Sequence, residues 1–459
     1  LRKPDQGIQE NGMNTLAQLR NGELAGATRL DLSEQLETFP SEIFDLADSL
    51  EVLNLSGNRL SSLPPDLWRL RKLRILFCSD NAFTEVPTAL GRCSNLEMVG
   101  FKANQIRRLP AEALPSALRW LILTDNQLES VPEEIGRCSR LQKLMLAGNQ
   151  LRALPESLSL CTRLELLRIA ANRLHALPSW LLTMPRLTWL AFAGNPFSDA
   201  IEADTLAQHP RPSIDRDRIT LGGVLGQGAS GIIRHATWRR DRQEPKAMAA
   251  KLFKGALTSD GLPHSEMAAC IAAGEHPGLI RIAGPLNDSA EALPGLLMEL
   301  IDASYQPLAG PPSFASCTRD CYPAERRFTE EYVLRVATRV ASAVSHLHHR
   351  GILHGDLYGH NLLVDPVGNT LLSDFGAASF YRPQSEQGLA LQRVEARAFG
   401  CLLEELLERC SVAGDHTSLQ RLRALQQQCL LESPAERPSF LELKRILETI
   451  CEASAIPAG

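Results

Sequence analysis

Apolar residues in the first half of the chain recur on a fixed period. Leu50, Leu53 and Leu55 precede Asn58 and Leu60, and Leu141, Leu144 and Leu146 precede Asn149 and Leu151 in the same spacing. The asparagines fall at Asn58, Asn81, Asn104, Asn126, Asn149, Asn172 and Asn195, each step being 23 residues except the 22 from Asn104 to Asn126. A Leu-Pro or Val-Pro pair follows most of them, at Pro64, Pro87, Pro110, Pro132, Pro155 and Pro178. Alternation inside each unit predicts one short strand, with pairs such as Leu53 and Leu55, or Leu121 and Leu123, pointing inward. One such strand cannot bury its own leucines, so neighbouring units must stack to complete a core.

This pattern resembles the leucine-rich repeat, which implies a parallel solenoid with the asparagine amides satisfying backbone groups at each turn. Seven full units and a shortened one beginning at Leu30 and Leu32 give a repeat domain over 30–197. Residues 1–29, helix-like from Thr15 to Leu24, form its polar cap. Cys93, Cys138 and Cys161 stand three residues before a repeat leucine, where another unit has Leu70, and are expected as small buried fillers. The outward column reads Val52, Ile75, Met98, Trp120, Lys143, Leu166 and Trp189, and the next adds Phe77, Ile122 and Met145. So much apolar side chain on a nominally wet face predicts a partner-binding surface on the residues other than Lys143, slightly ahead of contact with the chain's own second half or a flanking segment. Residues 198–217 are polar, carry Pro210 and Pro212, and read as a connector.

The period changes after residue 217. Leu225-Gly226-Gln227-Gly228-Ala229-Ser230-Gly231 gives G-x-G-x-x-G, followed by a strand pattern from Ile232 to Trp238 rather than a helix. Two strands joined by a glycine turn can lay backbone N–H groups over phosphates. Lys251 lies in a short apolar strand, Met248 to Phe253, and a helix with Glu266 follows. Phe328 to Arg350 reads as an amphipathic helix ended by Gly351. His354-Gly355-Asp356-Leu357-Tyr358-Gly359-His360-Asn361 comes next, then Asp374-Phe375-Gly376. An aspartate to orient a hydroxyl, with an amide and a second carboxylate to hold magnesium, is the set that phosphoryl transfer needs.

With these motifs in this order, residues 218–453 resemble the eukaryotic-type protein kinases. The resemblance implies an α+β bilobal domain after the α/β solenoid, with residues 454–459 as a tail. It implies Asp356 and Lys251 as catalytic, and Asn361 and Asp374 as Mg2+ ligands. ATP would be held by residues Leu225 to Gly231, Ile233, Lys251 and its partner Glu266, with Met298, Glu299 and Ile301 forming the strand and hinge against adenine. Lys254 and Glu275 fit the ion-pair spacing less well. Ala398 to Leu406, Cys429 to Pro434 and Glu436 to Phe440 resemble the helical lobe and support the fold alone.

Four departures accompany the resemblance. Gly355 replaces the arginine that reads a phosphorylated activation loop, so activity is not expected to need that phosphate. Tyr358 replaces a lysine that contacts the transferred phosphate. Only Ala377 to Val394 separates Gly376 from Glu395, with no Ala-Pro-Glu, which deprives Arg437 of its usual ion-pair partner. Glu395 itself stands where the helix usually has aspartate. Finally, Ser411 to Ser418 leaves scarcely any room for the helix that docks protein substrates.

Composition changes the picture modestly. A net charge of -5 over 459 residues offers no footprint for nucleic acid. No run of about twenty apolar residues exists to span a membrane. The start shows no basic patch before an apolar stretch, so no signal peptide is expected. Eleven cysteines without scaffold spacing, including an isolated Cys317-x-x-x-Cys321, predict a reduced, cytoplasmic protein. His346, His348 and His349 are expected as packing and surface residues. The reading is therefore a Mg-ATP-dependent Ser/Thr-type protein kinase in intracellular signalling, whose repeats bind a protein substrate or regulator. Two alternatives stand beside it. His-Gly-Asp also occurs in aminoglycoside and choline kinase-like enzymes that phosphorylate small molecules, and a catalytically impaired kinase could serve as a repeat-based scaffold.

Overall fold

The computed structural model describes residues 13–228, 230–241, 243–255, 257–287, 293–411 and 417–453. Ala229, most of the 411–418 connection, the start of the cap and the 454–459 tail lie outside them. The chain forms two compact units that divide between Arg186 and Leu187.

The first unit is the solenoid. Helix α1 (Leu16–Arg20) opens it with a reciprocal capping box between Thr15 and Gln18. Strands β1 (Arg29–Asp31), β2 (Val52–Asn54), β3 (Ile75–Phe77), β4 (Met98–Gly100), β5 (Trp120–Ile122), β6 (Lys143–Met145) and β7 (Leu166–Arg168) pair in parallel in chain order. The register places Leu53 beside Leu76 and Leu76 beside Val99, so the inward leucines form one buried column. Between most strands runs a single 3-10 turn that starts after a proline, as at Pro87, Pro110, Pro132, Pro155 and Pro178. The fixed proline φ sets the chain's direction into each turn.

The asparagine ladder forms as expected. Asn149 donates its amide to the Leu123 and Leu146 carbonyls at 2.9 and 3.0 Å and accepts the Leu128 N–H at 2.9 Å. Asn81, Asn104, Asn126 and Asn172 repeat that reach into the preceding unit. Each amide therefore satisfies buried backbone groups that a parallel strand leaves at its end. Cys93, Cys138 and Cys161 are buried in this layer, as Leu70 is. Burial pushes the first two thiols up to about 11 and the third to about 12, which makes them inert. All eleven cysteines are free thiols.

The outward column departs from expectation. Ile75, Met98, Trp120, Met145 and Leu166 are buried, leaving only Val52, Phe77 and Ile122 half-buried. The side chains close over one another: the Lys143 ammonium lies 4.4 Å above the Trp120 ring, whose N–H approaches the Met145 sulfur at 3.4 Å. Phe77 covers Gly100, which has no side chain to hold it off. The buried members offer no accessible area to a partner. Trp189, in strand β8 (Trp189–Ala191), belongs to the second unit and is 1% exposed there.

In the second unit, part of the expected connector is helical, α2 (Pro196–Gln208), with Pro196 in its first turn where no N–H is missed. Strands β9 (Ile219–Gln227), β10 (Gly231–Trp238) and β11 (Lys246–Phe253) follow, then helix α3 (Pro263–Ala273), β12 (Ile282–Pro285) and β13 (Gly295–Glu299). They make an antiparallel sheet in the order β12-β13-β11-β10-β9. A short strand β14 (Gln306–Pro307) leads to helix α4 (Glu330–His349), capped by the Thr329 hydroxyl, which accepts the Tyr332 N–H. Val333, Val336, Val340, Val344 and Leu347 line its buried stripe. Strands β15 (Ile352–Leu353), β16 (Leu362–Val364), β17 (Thr370–Leu372) and β18 (Ser379–Phe380) and helices α5 (Glu386–Glu408), α6 (Thr417–Cys429) and α7 (Phe440–Ala453) complete the unit. Among the described residues, no helix is long and apolar enough to cross a membrane.

Candidate active site

The glycine-containing segment lies between two antiparallel strands. β9 carries Leu225, Gly226 and Gln227 up to the turn at Gly228, and Ser230 leads into β10 at Gly231. Gly228 donates to the Gly231 carbonyl at 2.9 Å, and Ile233 lies opposite Lys251 in the register.

Lys251 pairs with Glu266 of α3, and the carboxylate is 2% exposed. Burial works against the Lys251 ammonium, but the charges of Glu266 and then Asp374 outweigh it and hold its pKa above the usual value. The lysine is thus cationic at neutral pH. Glu275 is engaged elsewhere, with Arg281 at 3.2 Å and Arg211 at 3.8 Å, and Lys254 takes no part in the pair. On β13, Met298 is buried opposite Ala249, Glu299 is exposed, and Ile301 follows the strand's end.

The catalytic loop hangs between α4 and β16. Asn361 donates to both the carbonyl and the carboxylate of Asp356, at 2.9 and 2.7 Å. Ser373 gives its N–H and its hydroxyl to the Asn361 carbonyl, at 3.0 and 2.8 Å, so the residue before Asp374 is tied to the loop. Asp374 adopts a left-handed φ of 60° and accepts the Gly376 N–H at 3.3 Å. Such a conformation is costly for a non-glycine residue and persists where the surroundings determine it. His354 donates its Nε2–H to the Ser373 carbonyl (3.0 Å) and meets the Phe375 ring edge-on, its centroid 5.2 Å away.

Asp356, Asn361 and Asp374 present oxygen donors, the chemistry a hard divalent cation takes. Among the described residues no cluster of three His, Cys, Asp or Glu could hold a metal alone.

Two buried carboxylates support the loop from His354 to Asn361. Glu395, noted only as a departure from aspartate, is 1% exposed and anchors the loop. It accepts the Gly355 N–H at 2.6 Å, the His354 N–H at 3.4 Å and His348 Nε2 at 2.7 Å. Burial alone would raise its pKa, but His348 above all pulls it below the usual carboxylate value. His348 is thus a supporting group of the loop rather than a surface residue. Asp320, from the loop after β14, binds His360 through its carboxylate at 2.7 Å and accepts the His360 N–H at 3.0 Å. Nothing in the sequence marked it. Arg437 is fully buried and donates to the Leu431 carbonyl at 2.9 Å and the Arg393 carbonyl at 3.4 Å. Burial and the neighbouring Arg397 draw it down to about 10.

Gly355 has a local cause. Its φ is +73°, and a Cβ there would stand 2.6 Å from the Leu190 carbonyl oxygen and 2.7 Å from that of Ala377. Arginine has no room at this position. Trp189, expected on the partner-binding face, instead stacks on Tyr358 with ring centroids 4.2 Å apart and 8° between planes. Its indole N–H donates to the Leu357 carbonyl at 3.0 Å.

Comparison with known proteins agrees with this geometry. Residues 219–399 match the protein kinase domain family, and residues 48–90 and 116–174 match leucine-rich repeat families. The chain is 24% identical over 293 residues to a tyrosine-protein kinase transforming protein of Avian retrovirus RPL30, covering 54% of this chain and 64% of that one. It is 24% identical over 182 residues to a probable serine/threonine-protein kinase of Arabidopsis thaliana, 35% of this chain and 29% of the relative. Calcium-dependent protein kinase 9 of Oryza sativa subsp. japonica is 31% identical over 183 residues, 39% of this chain and 29% of the relative. The chain thus spans less than two thirds of the length of these relatives. Motif order, loop geometry and these matches converge: the chain carries leucine-rich repeats followed by a protein kinase domain.

Proposed function

We propose that this chain transfers the γ-phosphate of Mg-ATP to a Ser or Thr hydroxyl of a protein. The observation that carries the reading is the joint assembly of the Lys251–Glu266 pair and the Asn361–Asp356 clasp. In this chemistry the protein contributes positioning and charge neutralisation rather than covalent steps. Lys251, held cationic, would meet the α- and β-phosphates. Asp356, held by Asn361, would orient the acceptor hydroxyl and receive its proton. Asn361 and Asp374 would hold magnesium, which neutralises charge on the phosphates when bound. Serine or threonine is favoured over tyrosine because the plant relatives are named as serine/threonine kinases, although the retroviral one is a tyrosine kinase.

The repeats would bring a protein substrate or regulator to the kinase domain in an intracellular signalling role. Support for that lies in the general use of such repeats as interaction modules. On the expected face, the half-buried Val52, Phe77 and Ile122 are the members still open to contact.

The test is incubation of the chain with Mg and γ-labelled ATP, alone and with a generic basic protein, beside Asp356→Asn and Lys251→Met. Label on serine or threonine is expected from the wild type. Asp356→Asn should lose transfer while keeping its ATP affinity, and Lys251→Met should lose most transfer. Equal label from all three proteins would sink the site assignment. ATP binding without protein label would move the acceptor to a small molecule or leave a scaffold.

A further inference from the structure

Phosphoryl transfer in this fold requires that the Lys–Glu pair, and therefore the helix bearing the glutamate, stay in place together with the catalytic loop. Both are gripped here by one stretch that precedes the first strand of the sheet. Trp189 is buried against the loop through the stacked Tyr358 ring and the Leu357 carbonyl. The Leu190 carbonyl lies where the side chain of residue 355 would otherwise project. Phe192 donates its N–H to the Ser379 hydroxyl at 2.9 Å, which fixes the segment just beyond Phe375. The chain then enters α2, which packs on α3 and on β18. Glu202 of α2 lies beside Ser265, the residue before Glu266, and both Asp199 and Glu202 face His264.

Against this, the chain's own activation segment is short: only Ala377 to Ser385 lies between Gly376 and α5. No arginine stands at 355 to read a phosphate on it. We infer that residues 189–208 are a built-in positioning element that does the work of a phosphorylated activation loop, Trp189 holding the catalytic loop and α2 holding α3. This rests on the protein kinase reading. The contact is made while Lys251 is paired and Asp356 is clasped, which is what a supporting element requires and an obstructing one does not. Trp189 touches Tyr358 and Leu357 rather than Asp356, so it is a positioning residue and not a catalytic one.

The test uses the full chain, treated with phosphatase, with steady-state kinetics on a basic protein acceptor and separate measurement of ATP affinity. Trp189→Ala is expected to lower kcat about tenfold, equivalent to ~1.4 kcal/mol in the barrier, with the Kd for Mg-ATP within about twofold of wild type. Trp189→Phe keeps the ring stacking and is expected to stay within about threefold of wild type. If Trp189→Ala is insoluble, Trp189→Leu, which keeps apolar bulk and removes the indole, carries the same expectation. Unchanged kcat in the alanine or leucine variant would overturn the inference. So would a faster rate, which would make the contact an obstruction, or an equal loss of ATP affinity, which would make Trp189 a general prop of the fold. Absence of Asp356-dependent transfer by the wild type would instead remove the kinase reading, and this inference with it.

Discussion

Glu395 offers the sharpest test of how the catalytic loop is held. Its carboxylate receives the Gly355 N–H at Oε1 and both His348 Nε2 and the His354 N–H at Oε2, in a site closed to water. Glu395→Gln keeps the volume but leaves one acceptor oxygen, so the new amide NH2 must face either a backbone donor or the histidine. The charge that strengthened all three bonds is also removed. Hydrogen bonds to buried charges contribute roughly 1.5–3 kcal/mol each, so the net loss is about 2–4 kcal/mol, a large share of a domain's stability. The assay is hydrogen exchange of the peptide spanning His354 to Asn361, with kinase rate measured alongside. The loss corresponds to exchange faster on the order of 30- to 1,000-fold. The pH sign follows from the depressed pKa. Stability from Glu395 is present above the ordinary value of 4.5 and is lost as pH falls below it. Wild-type protection of this loop should therefore fall in acid, and the glutamine variant should lack that component. Loop exchange within about twofold of wild type at neutral pH would refute the reasoning.

Two further predictions address other parts of the chain. Asn149→Ala strands the Leu123 carbonyl and the Leu128 N–H in a buried layer and is expected to cost about 2–3 kcal/mol in urea unfolding of the solenoid; a shift under about 1 kcal/mol would count against the ladder. Burial, then the neighbouring Asp320, pushes Glu405 up to about 8, so the folded chain keeps a proton that the unfolded chain releases near 4.5. Its contribution to stability is full below 4.5 and is lost as pH rises through about 8. Glu405→Gln should flatten the fall in melting temperature over that range, and an unaltered slope would show that the group titrates normally.

The repeat pattern was legible because each leucine and asparagine serves its own unit and the next, so the physical constraint is local and periodic. The same holds for the proposed nucleotide site: Lys251, Asp356, Asn361 and Asp374 sit in short segments that their spacing singles out. The outward column was misread for the converse reason. Alternation says which residues leave the core, but not whether they meet water. Trp120 touches Lys143 and Met145 and is buried, and burial is a property of neighbours that the folded chain brings together. Asp320 escaped notice, and the part His348 plays in holding Glu395 was not foreseen, because each acts on a residue dozens of positions away.

The sequence by itself determined the two kinds of architecture and the period of the repeats, and it placed the proposed phosphate-site residues in short recognisable segments. Only the tertiary structure decided why Gly355 and Tyr358 stand where a kinase ordinarily has other residues. A glycine is required at 355 because the Leu190 carbonyl approaches within the volume of a Cβ, and Tyr358 offers the flat face on which Trp189 stacks. Those contacts join positions more than a hundred residues apart, and no local pattern records them. They exist because the chain folds a repeat-derived strand against its own catalytic loop.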